Sequence, residues 1–130
     1  MPAHENPDDP LYTHHSDHLV SFKVPVKLND MNYSKWSRSF VLQIKIRNKL
    51  AFLNGSIKCP PEEDTEAHVA WTKCDQLVLG WILSSISDDL ADNLAYVTTA
   101  HEAWERLRLR YAQANTVRIY QLIQEINSLV

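Results

Sequence analysis

The chain has 130 residues, 45% hydrophobic and 22% charged, with a net charge of −3, a balance that suits one globular domain able to bury its own core. Its longest apolar stretches, such as Leu77 to Leu83, fall far short of the ~20 residues a membrane helix needs, and the opening "MPAHENPDDP" has neither the basic start nor the apolar run of a secretory signal. Composition therefore predicts a cytoplasmic protein with no membrane partner.

Residues 1–18 hold three of the six prolines, four acids and four histidines, the makeup of a mobile arm ahead of a domain at 19–130. Val20, Phe22, Val24, Val26 and Leu28 then alternate with polar residues and Pro25, which predicts a short extended or β segment confined to an edge. A first helix is expected from about Tyr33 to Lys49, with Asn32 as its cap and Trp36, Phe40 and Ile44 on one face. After Cys59-Pro60-Pro61 and the acids Glu62, Glu63 and Asp64 comes a second, about Thr65 to Ser85. Its stripe of Ala67, Ala70, Trp71, Cys74, Leu77, Val78, Trp81, Ile82 and Ser85 is the clearest helical period in the chain.

Ser87 with Asp88 and Asp89 reads as the cap and first turn of a short third helix carrying Leu90 and Leu94. Thr99 and Glu102 form a capping box for a fourth, which turns Ala103, Trp104, Leu107 and Tyr111 inward. A fifth follows Asn115, using Val117, Ile119, Tyr120, Ile123 and Ile126. The sum is an all-α domain of about five helices preceded by a short extended segment.

Catalytic chemistry finds little support in the residues. Two glycines, Gly55 and Gly80, cannot build a Walker loop, a dinucleotide fingerprint or a Gly-x-Ser-x-Gly elbow, and Cys59 and Cys74 make no Cys-x-x-Cys pair. His14, His15 and His18 lie close enough to converge on a metal ion, but a polar arm explains them without one; His68 and His101 stand near helix starts as solvent-facing or capping groups. The pairs Asp88/Asp89 and Glu62/Glu63 would need one buried member to act as acid and base, and their loop and first-turn positions favour solvation. The sequence thus predicts no enzyme, no cofactor and no metal.

Charge is more informative when partitioned. Residues 23–58 carry eight basic and one acidic side chain, residues 59–105 one basic and ten acidic, and residues 106–118 four basic. Lys35, Arg38, Lys45, Arg47, Lys49, Arg106, Arg108 and Arg110 form a candidate surface for RNA phosphates or for the acidic face of another copy. Trp36, Phe40, Trp71, Trp81, Trp104 and Tyr111 fall on helical stripes and are expected in a common core rather than as a base-stacking platform.

The blocks "DPLYTHHSDH", "LNDMNYSKWSRSF", "NKLAFLNGSI", "WTKCDQLVLGWILSSIS", "TAHEAWERLRLRYAQAN" and "IYQLIQEINSL" together resemble, in order and spacing, the N-terminal Gag region of plant copia-type LTR retrotransposon polyproteins. The likeness covers about Asp9 to Leu129. It implies a capsid-like helical bundle that self-associates into virus-like particles around element RNA. The chain departs from that family in lacking a Cys-x-x-Cys-x4-His-x4-Cys knuckle and a protease motif before it stops at Val130. Two expectations follow: a non-enzymatic self-association module, with weak RNA binding as a secondary contact, or a domesticated monomeric host module that binds a peptide or RNA.

Overall fold

Trp36, Phe40 and Ile44 recur at four-residue steps, and α1 (Tyr33–Ile46) buries all three. The computed structural model describes residues 8–13, 22 and 24–129. Within them the chain is helical, with α2 (Leu50–Asn54), α3 (Thr65–Ser84), α4 (Asp88–Asn93) and α5 (Ala100–Ser128) following α1. α3 packs on α5 and α2, and α2 also meets α1 and α5.

α1 ends earlier than its periodicity suggests. Asn48 adopts a left-handed backbone at φ 56°, the Asn48 N–H donates to Lys45 O (3.0 Å), and the Lys49 N–H donates to Ile44 O (3.0 Å). This is a Schellman stop with asparagine in the place usually held by glycine. It ends the expected helix at Ile46, short of Lys49, and frees Leu50–Asn54, for which no helix was expected, to turn as α2, burying Phe52 and Leu53.

Gly55 closes α2 at φ 74°. A Cβ there would lie 2.9–3.0 Å from the His101 ring, which is itself held by a 2.7 Å contact between Nδ1 and Leu53 O. Gly55→Ala should therefore cost about 1–2 kcal/mol from the left-handed backbone alone, with ring displacement added, measured as a loss of urea stability. A neutral result would show that α2 and α5 separate at this point without penalty.

The extended segment is reduced to one bridge. Leu28 pairs in parallel with Ile86; its N–H donates to Ser85 O (2.9 Å) and its carbonyl accepts from the Ser87 N–H (3.0 Å). Phe22 and Leu28 are buried, but Val26 is exposed, so the alternation breaks after Pro25. The linker between α3 and α4 offers a single residue to pair with, and Pro25 has no N–H to extend the ladder. Val20, Ser21 and Lys23 of this stretch lie outside the described residues.

Of the stretch read as an arm, residues 1–7 and 14–18 lie outside the description, while residues 8–13 sit on the body. The Asp8 carbonyl accepts from Asn48 Nδ2 (2.9 Å), the Tyr12 carbonyl from Lys49 Nζ (2.6 Å) and the Leu11 carbonyl from Cys74 Sγ (3.2 Å).

α5 begins at Thr99, whose hydroxyl accepts from the Glu102 N–H (3.2 Å), while the Glu102 carboxylate reaches the Thr98 N–H rather than that of Thr99. It then runs unbroken for 29 residues. The two helices expected on either side of Asn115 are one, because no Gly or Pro interrupts the sequence beyond Gly80.

A single apolar cluster joins these elements. Trp36, Phe40 and Trp104 bring α1 onto α5 with ring centroids 5.1–5.6 Å apart. Phe22 stacks on Trp81 at 4.9 Å, and Tyr33 stacks on Tyr111 at 4.6 Å. Trp36 Nε1 donates to Ser85 O (2.9 Å), tying α1 to the end of α3. Trp36, Phe40, Trp81 and Tyr111 are buried, and Trp71 and Trp104 are half-buried against the cluster.

Candidate assembly surfaces

The eight basic residues separate into four environments. Lys35, Arg38 and Lys45 project from one face of α1 with no ion pair among the described residues, and Leu42 and Ile46 share that face, exposed. Arg47 lies half-buried, its guanidinium 5.0 Å from the Phe22 ring and 5.5 Å from Trp81, and donates to Gln43 Oε1 (3.1 Å). Lys49 is only 1% exposed; as the residue just past the Schellman stop it turns inward, where its ammonium meets the carbonyls of Tyr12 and Arg47. That geometry removes Lys49 from any contact surface.

Arg106, Arg108 and Arg110 of α5 are each matched within the chain. Arg106 meets Glu102 at 3.1 Å, Arg108 meets Glu105 at 2.8 Å, and Arg110 meets Asp30 at 3.5 Å. The first two are helix-surface pairs in water, which screens them and leaves them a small share of the stability. Arg108 donates from Nε and Nη2 to both oxygens of Glu105, and this hydrogen bonding holds the Glu105 carboxyl below its ordinary range. Tyr111 donates to the Asp30 carboxylate that Arg110 approaches (3.0 Å); burial first, then that carboxylate, pushes its phenol up. Charge here is largely spent on holding the loop at Asp30 and the flank of α5.

A groove runs between the start of α1 and α5, lined by Lys35, Arg108 and Arg118 around Tyr33, Tyr111 and Asn115. It brings together three cations from two helices and the Asp30 carboxylate. Arg118 was not singled out from the sequence as a site, because position 118 becomes a neighbour of Lys35 only when α5 continues past Asn115.

The largest departure from the expected pattern lies beyond Tyr111. Val117, Ile119, Tyr120, Ile123 and Ile126, expected to face inward, are all exposed, and Leu122 and Leu129 join them; the set ranges from 48% to 84% exposure. The last buried residue of α5 is Tyr111. From there the helix leaves the core with its apolar stripe uncovered by any described residue.

Reactive groups are arranged for structure. Cys59 Sγ lies 3.5 Å from His68 Nδ1, but the same nitrogen is 2.9 Å from Pro60 O. A carbonyl can only accept, so that nitrogen carries the proton and cannot act as a base toward the thiol. His68 and His101 are partly buried staples onto loop and α2 carbonyls. Among the described residues no three His, Cys, Asp or Glu side chains converge as metal ligands, and His14, His15 and His18 fall outside them. No helix among them is long and apolar enough to cross a membrane.

Residues 14–61 match the family described as the Gag-polypeptide of LTR copia-type. Over 111 residues the chain is 32% identical to the Retrovirus-related Pol polyprotein from transposon RE2 of Arabidopsis thaliana and 31% identical to that from transposon RE1 of the same plant. Each match covers 79% of this chain and 8% of the relative, so the chain spans a small fraction of those polyproteins. No solved structure matches it.

Proposed function

We propose that this chain, which belongs to the Gag polypeptides of LTR copia-type elements, is a non-enzymatic structural module that self-associates through its helical domain at 19–130 and contributes to particle assembly. The observation that carries this reading is the uncovered apolar stripe of α5 beyond Tyr111. A row of large aliphatic side chains in water is costly, and contiguous exposed apolar surface of this kind marks interaction sites. The face of α1 with Leu42 and Ile46 among Lys35, Arg38 and Lys45 offers a second contact.

Because Arg106, Arg108 and Arg110 already have carboxylate partners in the same chain, association rests on apolar burial more than on a basic face meeting an acidic one. Sedimentation velocity should show oligomers growing with protein concentration and persisting as salt rises to 1 M, where the screening length falls to about 3 Å. Oligomers that dissolve in salt would return the contact to exposed charge, and a monomer at every concentration would remove the reading.

The groove lined by Lys35, Arg108 and Arg118 favours a second reading, in which a monomer holds the phosphates of RNA there. Its mark would be RNA affinity that falls linearly in log–log with salt and loses slope when Lys35 and Arg118 become Gln.

A further inference from the structure

Beyond Tyr111, α5 continues for roughly 17 residues, about 25 Å of helix at 1.5 Å per residue; its first turns, to Arg118, border the groove at the start of α1, but none of its described residues is buried. Helices of this length are marginal in water on their own. This one is rich in β-branched residues, namely Thr116, Val117, Ile119, Ile123 and Ile126, and has no oppositely charged pair four residues apart to support it. Its helicity calls for packing that the described residues of a single copy do not supply.

Ile119, Leu122, Ile126 and Leu129 follow one another at steps of three, four and three, the spacing of a coiled-coil seam. Ile123 broadens it. The segment from Ala112 to Leu129 has just two charges, Arg118 and Glu125. They stand seven residues apart, each immediately before a seam isoleucine, and so lie on the same edge of the seam. Neither makes an ion pair among the described residues.

Their placement decides the direction of pairing. In a parallel pair this edge would face the opposite edge of the other copy, where Thr116 and Ile123 stand, and the charges would meet nothing. In an antiparallel pair like edges face each other, and in the register that sets Ile119 against Leu122 of the other copy, Arg118 of each copy meets Glu125 of the other, twice by symmetry, while Ile126 and Leu129 cover the Asn115 and Ala112 positions of the other copy.

Resting on the self-association reading above, we infer that the end of α5 pairs with the same segment of a second copy as an antiparallel, two-fold helix pair, with Ile119, Leu122, Ile126 and Leu129 as its seam and the Arg118–Glu125 contacts setting its direction. The contact is isologous and closed, so it makes a dimer and leaves the α1 face free for a different contact.

The test is analytical ultracentrifugation of the full chain with substitutions confined to these exposed positions, where the core is untouched. Ile126→Asp should abolish the dimer. Arg118→Glu and Glu125→Arg, each of which places like charges together twice, should weaken it roughly tenfold, and the double swap R118E/E125R should restore it. In a Cys59→Ser background, Leu122→Cys, next to the two-fold axis, should cross-link to itself on oxidation, whereas Leu129→Cys should not, since its two copies lie at opposite ends of the pair. Helix content by circular dichroism should rise with protein concentration in step with dimer. A dimer unaffected by Ile126→Asp would overturn this pairing and leave self-association through another face standing. A double swap that fails to recover, or equal cross-linking at 129, would overturn the antiparallel direction. A wild-type chain that never associates would instead remove the self-association reading on which the pairing rests.

Discussion

Trp81→Ala is expected to cost about 3–5 kcal/mol, the range for removing a large aromatic from a core that cannot collapse around the void. The indole is fully buried on α3. It stacks on Phe22 at 4.9 Å with an interplanar angle of 12°, and the Arg47 guanidinium sits 5.5 Å from it. Phe22 in turn lies 4.9 Å from Phe40 on α1, so truncation removes support from three parts of the chain. The indole N–H is buried without a hydrogen-bond partner among the described residues. An unsatisfied buried donor already costs the folded state, so Trp81→Phe, which deletes that donor and keeps most of the stacking area, should lose far less than the alanine variant. Equilibrium urea unfolding followed by circular dichroism separates the two. An alanine variant within roughly 1 kcal/mol of wild type would mean that α3 presents a different face to the core.

The elements most legible in the sequence were those whose local chemistry and tertiary packing agree. The four-step aromatic spacing of α1 and the long stripe of α3 survive folding because the faces they mark are the faces that pack. Thr99 with Glu102 marked the start of α5 to the residue, since a side-chain cap is a local event. The stop at Asn48 was equally local and could have been read: asparagine takes the left-handed conformation more readily than most residues, and the burial of Lys49 one step on was the unexpected part. Periodicity at Val117, Ile119, Tyr120, Ile123 and Ile126 correctly grouped residues on one helix, but a period says which residues share a face and nothing of whether that face finds a partner in the same chain. The basic set fared similarly. A count of charges along residues 106–110 cannot see that each arginine has a carboxylate within reach, one of them Asp30 some eighty positions away.

Asp75 was hidden in the acidic tally of residues 59–105, yet its replacement should have the second-largest effect. The side chain is buried on α3. Its Oδ1 accepts the Ala100 N–H (3.1 Å), one of the donors that the first turn of α5 leaves without an intrahelical partner, and Oδ2 accepts from Gln76 Nε2 (3.2 Å). Asp75→Ala would strand the Ala100 N–H in the core and loosen the junction of α3 with α5, at a cost of about 2–3 kcal/mol. Asp75→Asn keeps an acceptor oxygen for that N–H and should stay within about 1 kcal/mol of wild type at neutral pH. The two variants also differ from wild type in their response to pH. Burial pushes the Asp75 carboxyl above its ordinary value, although the Ala100 and Gln76 hydrogen bonds pull the other way. Between that ordinary value and the raised folded one, the folded state holds a proton that the unfolded state has released. The contribution of this site is therefore complete below the unfolded value and is lost as pH rises through the folded value. The stability of Asp75→Asn relative to wild type should accordingly increase as pH climbs across that window, read as the difference in urea midpoints at a series of pH values. Wild type gaining on the asparagine variant over the same range would show that the Ala100 N–H and the end of α5 stabilise the carboxylate more than burial opposes it.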